Sequence, residues 1–255
     1  MAYVDTFNRA DEFPLASPWA SAEADSPPPR PNLVSNEAKF IPGDERAWAR
    51  YTGQAFTPNQ WAQITWTNPL GNCGPAVRMS YGVNAYLFSV HGPGTGPTPP
   101  FGVDSDYSTD GLGCWTFHNG ALTWLWHRTL GGTRPSTGTL KLWTTEVAGG
   151  KVRVRGFYGG SPEFDFEDDG SYGGIQAGGL PGFALVGSEP TGQTADNFEC
   201  GGDLKVQADA TAKGIPNLFM RLRPGAGTKG QAYFRMVDSW MGHGVGGPLK
   251  FGGPA

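Results

Sequence analysis

Three carboxylates stand on alternate positions of one short stretch, SPEFDFEDDGS, at Glu163, Asp165 and Glu167. Alternate residues of an extended strand share a face, which places the three side chains together. Two carboxyl groups brought about 5 Å apart can act as nucleophile and acid/base of a retaining glycoside hydrolase. On a regular strand the Cα atoms of Glu163 and Glu167 lie about 13 Å apart, so the side chains would have to lean toward each other. The surroundings argue against that chemistry. Pro162 suits the start of a strand or a sheet edge, and the stretch is bracketed by GFYGGSP and DDGSYGG rather than by sugar-stacking aromatics. The residues favour one arm of a hairpin that turns at Asp169-Gly170, with Phe164 and Phe166 in the core and the acids in solvent. No catalytic residue is assigned on this reading, and the alternative is Glu163, Asp165 and Glu167.

A non-catalytic sugar site needs rings for stacking and a few fixed polar groups. The stretch TWLWHR places Trp124 and Trp126 on one strand face with Arg128, while Trp143 projects opposite to Leu140 and Leu142. These four are the ligand-binding candidates, weighed against the commoner fate of aromatic stripes as core. Cys73, Cys114 and Cys200 are odd in number and widely spaced, and His91, His118, His127 and His243 are scattered. Free buried thiols are expected, with neither a metal site nor a cofactor. G-x-S-x-G, H-E-x-x-H and a phosphate-binding glycine loop followed by lysine are all absent from the sequence.

The elements that must position these residues are strands. Among 255 residues there are 40 glycines, 22 prolines and 32 aromatics (Trp 9, Tyr 8, Phe 15), with 16% charged residues. Glycine and proline interrupt helices while aromatics suit half-buried pleated surfaces, so many short strands and little helix are expected. Period-two alternation recurs in WAQITWTN, GPAVRMSY, NAYLFSVH, GCWTFH, ALTWLWHRTL, TLKLWTTEV and KVRVR. Asn119-Gly120 marks a hairpin turn between two of them. ADSPPPRPN and HGPGTGPTPPFG read as surface loops. A net charge of −4 without a long basic run argues against a nucleic-acid partner. No apolar run approaches the roughly 20 residues of a membrane helix, and the opening MAYVDTFNRADEF has no signal-peptide pattern, so neither membrane insertion nor signal-directed export is expected.

The opening DTFNRADEFPLASPWA, through Asp5, Phe7, Arg9, Asp11, Leu15 and Trp19, resembles the N-terminal strand of concanavalin A-like jelly-roll domains of the laminin-G and glucanase type. GPAVRMS, GGIQAGGLPGFAL and TADNFECGGD come after it in the family's order, and the resemblance covers roughly residues 1 to 203. It implies an all-β, concanavalin A-like jelly-roll sandwich of two antiparallel sheets over 1–203. Residues 204–255 come next as C-terminal strands and a Gly/Pro-rich docking extension. The family's Asp-Gly is replaced by Asp11-Glu12, so that turn is built differently. Phe7 and Trp19 are large enough to anchor a core edge, and Arg9 has the reach to pair with Asp5 or Asp11. Some jelly rolls bind calcium through such carboxylates, but no second ligand cluster is evident here.

EFDFE also matches the Glu-x-Asp-x-Glu core of laminarinase-type glycosidases. By that resemblance Glu163 would be the nucleophile, Asp165 its tuner and Glu167 the acid/base. Motifs of this kind identify a fold better than an activity. The opening pattern joined to a Gly/Pro-rich end looks like virion proteins of tailed bacteriophages, especially minor tail proteins. The expectation is therefore a non-catalytic virion structural or adhesion protein, located on the particle and extracellular after lysis. Its expected partners are other virion proteins, further copies of itself and a host-surface glycan. A free carbohydrate-binding module and a laminarinase-like hydrolase are the alternatives.

Overall fold

Alternation decides which side of each strand faces inward. In Phe56–Thr67 the residues Gln60, Ala62, Ile64 and Trp66 are buried, while Trp61, Gln63, Thr65 and Thr67 are less so. Thr137–Glu146 buries Leu140, Leu142 and Thr144 and turns Lys141, Trp143 and Thr145 the other way. In the computed structural model the described residues are 2–22, 31–39, 46–67, 72–80, 84–91, 100–101, 110–118, 121–131, 135–172, 178–186 and 194–204. They form fifteen strands: β1 (Ala2–Asp5), β2 (Trp19–Ser21), β3 (Asn32–Val34), β4 (Glu37–Lys39), β5 (Arg46–Tyr51), β6 (Phe56–Thr67), β7 (Asn72–Ser80), β8 (Asn84–His91), β9 (Gly111–His118), β10 (Ala121–Thr129), β11 (Thr137–Glu146), β12 (Val152–Tyr158), β13 (Ser161–Asp168), β14 (Leu180–Val186) and β15 (Thr194–Leu204).

The strands make two antiparallel sheets. One runs β13-β12-β11-β6-β15-β4-β3, with β1 also paired to β15, and the other runs β10-β9-β8-β7-β14-β5-β2. The chain crosses between them repeatedly, so some neighbours, such as β6 with β11 and β15 or β14 with β5 and β7, come from distant parts of the sequence, while others, such as β11 with β12, are consecutive. One core cluster lies between the sheets, joining Ile64, Leu140, Leu142, Val154 and Phe198 to Val77, Phe88, Cys114 and Phe183. Phe88 and Phe164 meet edge to face across it with centroids 4.9 Å apart. This is the expected jelly-roll sandwich.

The N-terminal motif works as a brace. Asp5 is nearly buried and accepts hydrogen bonds from Phe7 N (2.8 Å), Arg9 (2.7 Å) and Trp19 Nε1 (2.8 Å). Trp19 in turn packs against Phe183 and Phe198, fixing β2 to both sheets. Arg9 pairs with Asp5 as expected, but its second partner is Glu12 at 2.8 Å rather than Asp11. Asp11 instead accepts from Ser35 N. Glu12 thus carries the second ion pair.

One expectation about the strands is corrected. The hairpin containing β13 turns at Gly159 and Gly160, both with positive φ, and pairs with β12; it does not turn at Asp169-Gly170. Strands β8 and β9 are buried on both faces, because a second apolar cluster with Trp48, Met79, Leu87, Trp115 and Phe117 occupies the outer side of their sheet. The three cysteines are buried thiols outside any disulfide, as the sequence predicts. The chain divides into two units, Met1–Lys205 and Val206–Ala255. The docking role expected for 204–255 falls almost wholly outside the described residues.

Candidate functional site

A β-bulge takes the acidic triplet apart. Along β12 and β13, Gly156 opposes Phe164 while the next residue, Phe157, opposes Pro162, which leaves Glu163 as the extra residue. A bulge re-aims a side chain, and Glu163 leaves the row of Asp165 and Glu167. It reaches β10 of the other sheet, where both of its oxygens meet Arg128: Nε at 2.8 Å and the terminal nitrogen at 3.0 Å. Asp165 and Glu167 stay on the outer face. Asp165 takes a bidentate pair from Arg153 at 2.6 Å to each oxygen, and Glu167 lies 3.9 Å from Lys151. Hydrogen bonding to Arg153 holds the Asp165 carboxyl below the usual range. Phe164 is buried and Phe166 packs against the core, the expected placement for both.

A second bulge divides the aromatic candidates. Trp124 opposes Trp115 and Trp126 opposes Cys114, so Leu125 is the extra residue of β10. The common face expected for Trp124 and Trp126 is therefore not formed. Trp126 is buried between the sheets against Phe88 and Phe164. Trp124 lies on the outer side of its sheet, stacked on Trp115 at 3.9 Å with His91 and His127 beside it. A Cβ on Gly111 or Gly113 would collide with these side chains, so both glycines are part of how the cluster fits. Arg128 follows Trp126 to the inner side and is occupied by Glu163.

Trp143 belongs to a different assembly, on the outer face of the other sheet. Strand register sets it directly between Trp61 of β6 and Arg155 of β12. The Arg155 guanidinium lies 4.1 Å from the Trp143 ring centroid, and the Lys141 ammonium lies 4.0 Å from that of Trp61 and 6.0 Å from that of Trp143. Trp61 extends over Gly201 of β15, where a Cβ would come within 2.8 Å of its Nε1. The face is thus a strip of two indoles and two cations on the three adjacent strands β6, β11 and β12, all four partly buried. Burial pulls the Lys141 ammonium down from its ordinary value, and the charge of Glu199 opposes that pull.

Sequence reasoning singled out Trp143 and missed Trp61, Lys141 and Arg155. Lys141 was within reach, since it stands two positions from Trp143 on one strand and so shares its face. Trp61 and Arg155 join through lateral register. Among the described residues no group of three or more His, Cys, Asp or Glu is placed to hold a metal ion, and no helix is long and apolar enough to cross a membrane.

No protein-family model matches this chain, and no curated protein matches it in sequence. Solved structures do. The chain is similar to the carbohydrate-binding module CBM66 from Bacillus subtilis, at 14% identity over 71% of this chain and 91% of that one, with a TM-score of 0.44. It is similar to a β-glucanase from Bacillus licheniformis, at 9% identity over 78% and 96%, with a TM-score of 0.43. It is also similar to the exoplasmic/lumenal domain of VIP36 in a form bound to Ca2+ and Man3GlcNAc, at 10% identity over 83% and 94%, with a TM-score of 0.41. These are likenesses of strand arrangement at low identity, and the sandwich itself rests on the pairing and packing described above.

Proposed function

We propose that the protein is a non-catalytic jelly-roll recognition module of a tailed-phage virion protein, and that the strip Trp61, Lys141, Trp143 and Arg155 is its glycan-binding face. The observation that carries the non-catalytic reading is the bulge at Glu163. A retaining mechanism needs two carboxyl groups facing one sugar at about 5 Å. Here Glu163 is turned toward the opposite sheet and held by Arg128, while Glu167 stays on the outer face beside Lys151 and the tuning Asp165 is engaged by Arg153.

The binding reading rests on rigidity and shape. Indoles fixed on adjacent strands of a sheet, with two cations held against them, have little freedom left to lose, which favours contact with a sugar. The virion context rests on the resemblance of the opening motif, and self-association and contacts with other virion proteins go with it.

A glycan array probed with the whole protein tests the reading. Binding should appear and fall about tenfold or more on Trp143→Ala and on Trp61→Ala. Sugar release from β-glucans that disappears on Glu163→Gln would overturn the non-catalytic assignment. For the context, mass spectrometry of purified particles should find this chain among the structural proteins.

A further inference from the structure

We infer that this face takes a carboxylate-bearing sugar, a uronic or sialic acid unit, because two cations lie on its indoles and, among the described residues, neither forms an ion pair. The inference rests on the proposed binding face and deepens it.

The pairing pattern of β12 and β13 leaves one cation over. In register Arg153 opposes Glu167 and Arg155 opposes Asp165. Asp165 is drawn one step along, giving both oxygens to Arg153, while Glu167 faces Lys151. Of the other two acids of this strand, Glu163 has left for Arg128 and Asp168 is buried and accepts from Tyr86. Among the described residues Arg155 has no ion pair. Its side-chain hydrogen bond is a long one to Thr145, at 3.4 Å, and its buried Nε has no hydrogen-bond partner. Lys141 on the neighbouring strand likewise forms no ion pair among the described residues, and Glu199 acts on it only as a nearby charge. In a chain with 23 acidic and 19 basic side chains, two such cations side by side are a local excess of positive charge.

Their placement separates acidic from neutral sugars. The cations lie on the ring faces that a neutral pyranose would need, so a neutral sugar must displace them from a favourable contact and offer no charge in return. A sugar carboxylate can accept from the guanidinium and the ammonium while its ring packs against the indole edges, leaving both cation–π contacts intact. Binding of an anion would also offset the desolvation that pulls Lys141 down.

The test is titration of the full chain, monitored by tryptophan fluorescence and calorimetry. The probes are trigalacturonate, disialic acid and a hyaluronan tetrasaccharide, with laminaritriose, maltotriose and chitotriose as neutral counterparts. At least one acidic probe should bind about tenfold more tightly than every neutral one and weaken as salt rises. Lys141→Gln and Arg155→Gln should each remove that preference, and Arg153→Gln should reduce it by releasing Asp165 to pair with Arg155. Circular dichroism verifies that the variants fold. If neutral sugars bind equally well and depend on Trp143, the acidic assignment falls and the binding face stands. If acidic sugars bind but ignore Lys141 and Arg155, the assignment falls as well. If none of the six binds, both fall.

Discussion

Arg128 and Glu163 join the terminal strands of the two sheets through an ion pair with one hydrogen bond at 3.0 Å, and Glu163 is largely shielded from solvent. Glu163→Gln should destabilise the protein by about 1–2 kcal/mol, since a charge-assisted pair is replaced by a neutral contact of the same shape. A double-mutant cycle with Arg128→Ala, measured by urea unfolding, should show coupling of about 1 kcal/mol or more. No coupling would mean that the pair does not hold this edge.

Asp5 has a larger effect. Its carboxylate serves a backbone N–H, a guanidinium and an indole N–H from within the brace at the start of the chain. Asp5→Ala leaves those donors without their acceptor and should cost about 3–5 kcal/mol, read as a fall in the urea midpoint. Asp5→Asn, which keeps an acceptor oxygen, should cost less. Equal losses in the two variants would point to the side chain's shape rather than to its hydrogen bonds.

Acid should weaken the fold in a defined way. The Asp165 carboxyl is held low by hydrogen bonds from Arg153; at Glu12, burial pushes upward but the hydrogen bonds from Arg9 and the Ala16 N–H prevail. Because both folded values lie below the unfolded ones, their stabilisation is complete above about pH 5 and is lost as pH falls through the folded values. Unfolding midpoints measured from about pH 5 down to pH 2 should fall less steeply in the variant combining Glu12→Gln and Asp165→Asn. An unchanged slope would remove these two acids from the account.

The thiols should be silent until the protein opens. Burial pushes Cys200 up to about 12 and raises Cys114 as well, while Cys73 is fully enclosed in the core. A thiolate-specific reagent at neutral pH should label none of the three in the native protein and all three in denaturant. Rapid labelling of any native thiol would contradict the packing.

The faces of β6, β11 and β12 are legible in the sequence because their alternation is unbroken: Ile64, Leu142 and Val154 go inward, and Trp61, Trp143 and Arg155 go outward. The same rule misplaces Trp126 and Glu163, and for one reason. Each lies at or just beyond an inserted residue, and a bulge leaves the hydrophobic pattern almost unchanged while reversing the facing of the residues beyond it. The grouping of Trp61, Trp143 and Arg155 is hidden for another reason. Trp61 reaches Trp143 because crossovers between sheets bring β6 beside β11, and Trp143 meets Arg155 through the register of the consecutive strands β11 and β12; short-range pattern encodes neither.

The two bulges fall on β10 and β13, the strands that end their sheets on the same side. Phe101 adds to them, donating its N–H to the Leu125 carbonyl and stacking its ring on Phe166. An outermost strand with regular spacing is a template on which a foreign strand can add, chain after chain. Here the spacing is broken on both members, a proline stands near the start of one, and a locked pair of opposite charges fills the gap between them. That margin is poorly suited to runaway filament growth.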